Sequence, residues 1–256
     1  VENLTKDVDT NLAQKPKRKK HRPSVAIGLW IIKRVEKVIR HYSTVPTTPF
    51  LDPAQFSWTP LLQANYEVIR KELEQVLRNK ERIPNFQDIS KDQTNLTQDD
   101  RWKTFFLYGY GYKMDGNCAQ CPETTKIAES IPGMFTAFFS ILEPGKHIPI
   151  HRGPYNGLLR AHLPLIVPEP KEQCRIQVSN ETHHWEAGQC MVFDDTYKHQ
   201  VWNDTDGVRV VLFLDIRRPL AWPGSWFNQL ILKLICWSPY IQDARKNHKA
   251  WERGLE

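Results

Sequence analysis

Apolar positions along the chain change their spacing twice. From Ser24 to His41, Val25, Leu29, Ile32, Val35, Val38 and Ile39 recur at roughly helical intervals, with Lys33, Arg34, Lys37 and Arg40 among them. This spacing predicts a basic amphipathic helix over residues 24–43. A second helix is predicted at about Pro60–Asn79, where Leu61, Leu62, Tyr66, Ile69, Leu73, Val76 and Leu77 make an apolar stripe. Between the two, Thr44–Pro53 reads as an extended, proline-punctuated connector, and residues 84–101 read as a polar, irregular loop. The pattern then becomes one of short strands: Lys103–Tyr108, Phe135–Leu142, Leu158–Val167, Cys174–Ser179, Gln189–Phe193, His199–Trp202 and Val208–Ile216. Turn residues separate them at Pro144-Gly145, Gly153-Pro154, Ala187-Gly188 and Asp206-Gly207. Many short strands at this spacing predict a sandwich or barrel. After Pro223 helical spacing returns, with Trp226, Phe227, Leu230, Ile231, Leu234 and Ile235 apolar. No internal repeat is present.

Composition narrows this picture. At 256 residues and 40% hydrophobic, the chain suits one domain with a β core and helical flanks over residues 44–256. The net charge is +6, and Lys15–Arg22 (KPKRKKHR) alone carries six Lys and Arg and no acid. The body is therefore near neutral, and residues 1–23 read as a disordered basic arm. A neutral body argues against a specific nucleic-acid surface. A basic arm followed by a basic amphipathic helix instead suits an anionic membrane surface, contacted through Lys15–Arg40. The alternative is that the helix simply packs on the body. Five cysteines at irregular spacing, Cys118 and Cys121 among them as one C-x-x-C, read as ordinary reduced thiols in a loop. That fits a cytoplasmic location, peripheral on the inner face of a membrane if the basic arm binds lipid. Val25–Ile32 is too short to span a bilayer and lacks a cleavage site. The chain begins with Val rather than Met, which leaves room for an upstream segment.

The chemistry concentrates between Ser140 and Pro219. His151 follows a proline turn, His199 opens a strand, and Arg209 lies on the next strand, read as its hairpin partner. Non-haem iron(II) accepts neutral imidazole and keeps positions open for a cosubstrate. A bidentate 2-oxo acid would then need a cation at its far carboxylate, which the planar fork of Arg supplies. Arg160 and His162 are two apart on one strand, so they share a face, and a charge in that apolar run needs an anionic partner in the interior. Each of these residues alone is more often structural; their conjunction carries the reading.

Three stretches, SILEPGKHIPIHRGPYNGLLRAHLPL, NETHHWEAGQCMVFDDTYKHQVWN and RVVLFLDIRRP, resemble the aspartyl/asparaginyl β-hydroxylase family of 2-oxoglutarate oxygenases over about Arg101 to Pro219. The resemblance implies a double-stranded β-helix (jelly roll), mainly β, with core about 101–219; the helical spacing adds helices over 223–256, so that flanking helices stand at both ends. It implies iron(II) held by His151 and His199, and 2-oxoglutarate bound by Ser140, Arg160, His162 and Arg209. Trp102 is not carried over. The implied reaction uses dioxygen to hydroxylate an unactivated carbon, first the β-carbon of an aspartyl or asparaginyl residue in a peptide. One departure is that Gly153 stands where most 2-oxoglutarate oxygenases carry the aspartate of His-x-Asp. The animal peptidyl hydroxylases resemble the chain in having glycine there. Bacterial lipid A acyl-chain hydroxylases are similar through PYNGLLRAHL and TPFLDP, and make a fatty acyl chain the alternative substrate. Asp194 and Asp195, near His199, could supply a ligand, but are expected instead to order the turn. Halogenation at the open metal position and a non-catalytic jelly-roll binding module are the minor alternatives.

Overall fold

The computed structural model describes residues 23–90, 94 and 96–253. The predicted arm, including Lys15–Arg22, lies outside the described residues apart from Pro23. The structure opens with helix α1 (Pro23–Tyr42), strand β1 (Phe50–Leu51) and helices α2 (Thr59–Ala64), α3 (Tyr66–Leu77) and α4 (Phe86–Ile89). Strands β2 (Trp102–Gly109) and β3 (Tyr112–Lys113) and helices α5 (Asp115–Gln120) and α6 (Pro122–Glu129) follow. Next come β4 (Met134–Leu142), β5 (Lys146–His151), β6 (Leu158–Ile166), β7 (Cys174–Val178) and β8 (Glu181–His184). Strands β9 (Met191–Phe193), β10 (His199–Asn203) and β11 (Arg209–Arg217) complete the sheets, and helices α7 (Gly224–Cys236) and α8 (Pro239–Arg253) end the fold.

The strands form two antiparallel sheets, the larger in the order β1-β9-β6-β11-β4-β2-β3 and the smaller in the order β5-β10-β7-β8. Facing each other, they make the expected double-stranded β-helix with helices at both ends. The strands of the larger sheet are buried on both faces, which is why FTAFFSIL and RVVLFLDI read as continuous apolar runs. On β11, Val210, Leu212, Leu214 and Ile216 point outward into a core shared with Leu62 of α2, Ile69 and Leu73 of α3, and Ile127 of α6. Leu212 is fully buried there between β4 and β6, so truncation to alanine should cost about 2–5 kcal/mol. The alternate set, Arg209, Val211, Phe213 and Asp215, points between the sheets, where Val211 joins Leu142, Ile176, Val178, Trp185 and Val201. The period of two thus separates a structural face from a chemical one.

Several elements differ from the expectations. The predicted helix at 60–79 is two helices, broken at Asn65, whose side-chain amide donates to the Leu61 carbonyl at 2.8 Å and competes with the backbone ladder. The polar loop at 84–101 contains α4, where the Asp88 carboxylate accepts from the Asn85 N–H at 3.0 Å. Phe86, Ile89 and Leu96 of that stretch are buried. Cys118 and Cys121 lie on α5 and at the α5–α6 junction rather than in a loop, and both are buried free thiols. Strand β11 is not the hairpin partner of β10; the two lie in different sheets, and β11 pairs with β4 and β6. The link between them is fixed by the Asn203 amide, which donates to the carbonyls of Leu142 at 3.0 Å and Gly207 at 2.8 Å.

Helix α1 does pack on the body. Ile39 is fully buried with Tyr155 and Leu232, and Glu36 accepts from Arg152 while its carbonyl accepts from Asn156 at 2.9 Å. Lys33, Arg34, Lys37 and Arg40 remain exposed on the other side of the helix. Among the described residues no helix is long and apolar enough to cross a membrane.

Candidate active site

The two sheets bring His151 and His199 together as cross-strand partners at one end of β5 and β10, with ring centroids 4.1 Å apart. Each imidazole is oriented by a main-chain carbonyl two residues earlier: His151 Nδ1 lies 2.8 Å from Pro149 O, and His199 Nδ1 lies 2.9 Å from Tyr197 O. A carbonyl only accepts, so both Nδ1 atoms carry the proton and both Nε2 lone pairs are left for a ligand. Burial lowers the pKa of His151 to about 4; burial, together with His151 and Arg160, lowers that of His199 to about 3. Both rings are thus neutral at physiological pH, the state a metal requires.

A second group of side chains lies further inside the barrel. Arg209 is 2% exposed, stacks over Trp185 at 4.6 Å, and reaches the Ser140 carbonyl only at 3.5 Å. Its Nε has no partner, and no carboxylate pairs with it among the described residues. Burial lowers its pKa to about 10. His162 accepts from the Trp185 indole through Nδ1 at 3.2 Å, so its Nε2 carries the proton, and that atom too is buried without a partner. Ser140 Oγ accepts from the Trp102 indole at 3.1 Å. Two unpaired buried donors, one of them a cation, are costly to leave unpaired unless they await an anion. A dicarboxylate such as 2-oxoglutarate fits that demand, and a divalent metal fits the histidine pair.

Arg160 behaves differently. It faces the interior as expected, but two carboxylates already hold it: Asp195 at 2.9 Å and Asp215, its cross-strand neighbour, at 3.0 Å. Its guanidinium also lies over Phe213 at 4.3 Å. Burial works against this cation, yet the two carboxylates outweigh it and raise its pKa. Asp195 explains Gly153. A Cβ added at Gly153 would lie 2.0 Å from Asp195 Oδ2, and the Gly153 N–H donates to the Asp195 carbonyl at 2.7 Å. The space a side chain at position 153 would take is filled by a carboxylate from the neighbouring loop. Asp194 orders the turn as expected, accepting from the Thr196 N–H at 3.0 Å and pairing with fully buried Arg218.

A cavity of about 670 Å³ opens onto His151, Gly153 and Arg160. Most of its walls are apolar: Phe106, Phe138 and Phe213 from the larger sheet, Ile89 and Leu96 from the 84–101 segment, and Val35, Ile231, Ile235 and Ile241 from the terminal helices. Arg209 and His162 are not part of its lining. Arg209, His162 and Ser140 thus form a buried polar compartment inside the barrel, and the apolar cavity reaches the histidine pair through His151.

The aspartyl/asparaginyl β-hydroxylase family profile matches residues 63–219, which include all the side chains that build the polar compartment and the histidine pair. The chain belongs to that family. Within this hydroxylase family it is 46% identical, over 87% of its length and 79% of the relative's, to the ornithine lipid ester-linked acyl 2-hydroxylase of Rhizobium tropici. It is 31% identical, over 68% of its length, to the human aspartyl/asparaginyl β-hydroxylase and equally to human aspartate β-hydroxylase domain-containing protein 2. The matched region covers only 23% and 48% of those two human proteins. Family resemblance left out Trp102, Trp185, Asp195 and Asp215, whose roles emerge from contacts. Asp215 was within reach of the sequence, since it shares the period-two face of Arg209 on β11.

Proposed function

We propose that the chain is an iron(II)- and 2-oxoglutarate-dependent hydroxylase acting on a fatty acyl chain of a membrane lipid. The apolar cavity beside the histidine pair carries this reading, because an acyl chain gains by leaving water for such walls and a charged peptide segment does not. The rhizobial relative, an acyl hydroxylase matched along most of both chains, supports it.

His151 and His199 would hold the iron through Nε2, their rings fixed by the Pro149 and Tyr197 carbonyls. Arg209, with His162 and Ser140 beside it, would take the far carboxylate of 2-oxoglutarate. When bound, the metal and its cosubstrate activate dioxygen, giving succinate and carbon dioxide and placing one oxygen atom in a C–H bond of the substrate. The protein's part is orientation and exclusion. The aromatic and aliphatic walls hold the chain against the histidine pair and keep water away. The Arg160–Asp195–Asp215 cluster holds the loop over Gly153, so the floor of the cavity is fixed before substrate arrives. Arg160 serves there as a positioning residue, while Arg209 remains for the cosubstrate.

The β-carbon of an aspartyl or asparaginyl residue, the first expectation from sequence, stands as the second reading. Gly153 favours it, being shared with the animal peptidyl hydroxylases, and Arg245 on the cavity wall offers a cation to a carboxylate substrate. Incubation with iron(II), 2-oxoglutarate and dioxygen, against acyl lipids and Asp-containing peptides in parallel, separates the two by mass spectrometry. One added oxygen on the acyl chain is the expected product; oxygen on the peptide alone would replace the first reading by the second.

A further inference from the structure

Helix α7 has two apolar faces. One, through Phe227, Ile231, Leu232 and Ile235, packs with α1 and closes the cavity. The other is left in solvent: Trp226 (63% exposed), Leu230 (41%) and Leu234 (52%) at four-residue spacing, continued by Trp222 (82%) before the helix and Trp237 (73%) after it. A surface helix ordinarily turns polar residues outward, yet α7 sets only Gln229 and Lys233 among these. A contiguous exposed stripe of this kind marks an interaction site. Three tryptophans along it suit the boundary between headgroups and acyl chains, where an amphipathic ring satisfies both sides.

Charge selects the occupant. Helix α1 lies against α7, with Tyr42 abutting Gly224, and it presents Lys33, Arg34, Lys37 and Arg40 outward. The basic run Lys15–Arg22 immediately precedes it in the chain. Aromatic and aliphatic residues beside clustered cations match an anionic lipid surface better than a second copy of the same positively charged face.

We infer that the outer face of α7, with the basic side of α1, docks the protein on an anionic bilayer, and that an acyl chain passes from that bilayer around α7 into the cavity. The second clause rests on the acyl-chain reading; the docking does not. The full chain would be co-sedimented with vesicles of phosphatidylglycerol and phosphatidylcholine, beside Trp226→Ser/Leu230→Ser/Leu234→Ser and Lys33→Ala/Lys37→Ala. The expected result is vesicle binding by the parent that falls at least ~10-fold in the first variant. In the second variant binding weakens and loses part of its salt dependence. The triple variant should keep its 2-oxoglutarate affinity and its activity on detergent-dispersed lipid, while losing activity on vesicles. A parent that stays in the supernatant overturns the docking, as does binding unchanged by the triple variant. So does light scattering that shows a dimer which the triple variant dissolves, because a second copy then covers the face. Binding that follows the docking pattern without hydroxylation of any acyl lipid sustains the docking and overturns the acyl reading.

Discussion

Replacing Arg209 with methionine should separate the cost of this residue from its use. Arg209 is buried to 2% exposure, has no carboxylate against it among the described residues, and leaves Nε without a partner. Among the described residues, the hydrogen-bond partner it reaches is the Ser140 carbonyl at 3.5 Å, at the limit of a hydrogen bond. A cation in that state destabilises the ligand-free fold. Burial works against its charge and lowers its pKa to about 10, so it is still charged, and the cost is still present, at neutral pH. Methionine keeps much of the volume and the packing on Trp185 while removing the charge. Arg209→Met should therefore leave the ligand-free protein as stable as the parent or more stable, by up to ~1–4 kcal/mol in urea denaturation. The same change would remove a charge-assisted contact to the cosubstrate, worth roughly 2–4 kcal/mol, so the Kd for 2-oxoglutarate should rise about 30- to 1000-fold by calorimetry. A variant that is strongly destabilised without ligand and binds 2-oxoglutarate as the parent does would make Arg209 a structural residue with no part in cosubstrate binding.

Gly153→Ala should destabilise the protein by about 1–3 kcal/mol, because the new Cβ meets the Asp195 carboxylate at 2.0 Å. Adding Asp195→Ala should recover part of that loss, giving a favourable coupling in a denaturation double-mutant cycle. Ile235→Trp narrows the cavity from the α7 side; it should cut acyl-chain hydroxylation by more than ~10-fold while 2-oxoglutarate binding is unchanged, as measured by product mass spectrometry and calorimetry. Asp99 responds to acid: burial pushes its carboxyl up, but hydrogen bonds from Lys146 and Arg101 outweigh this and hold it at about 2. Its stabilising contribution is therefore present above pH ~4 and lost between pH ~4 and ~2, and since Asp99 is a third exposed it is at most ~1–2 kcal/mol. Asp99→Asn should flatten the stability profile in that window.

The larger sheet was legible because its strands are buried on both faces and their apolar runs stand out from the turns around them. The split between Arg160 and Leu159, or Arg209 and Val210, follows from the period of two once the strands are placed. Strand β5 was not legible: KHIPIH mixes charge, a proline and exposed Ile150, and becomes a strand only by pairing with β10. Helix α4 and buried Leu96 were hidden in a polar stretch, although they supply a wall of the cavity. The histidines and Arg209 were found by motif, and the structure brings the two histidines into contact. What no motif announced is the Asp195 carboxylate over Gly153, because that contact joins two loops 42 residues apart. Nor does helical spacing alone show that α7 is two-sided, with Phe227, Ile231 and Ile235 turned inward and Trp226, Leu230 and Leu234 left exposed.

The proposed activity depends most directly on whether the histidine pair and the Arg209 compartment hold iron and 2-oxoglutarate together. Anaerobic titration of the pure protein with iron(II) and 2-oxoglutarate, followed in the visible range, tests this without reference to any substrate. The expected result is a charge-transfer band of a chelated 2-oxo acid in the parent, its loss in His199→Ala, and its appearance only at much higher 2-oxoglutarate in Arg209→Met. A well-folded parent that develops no band, and retains no iron after desalting, would contradict it.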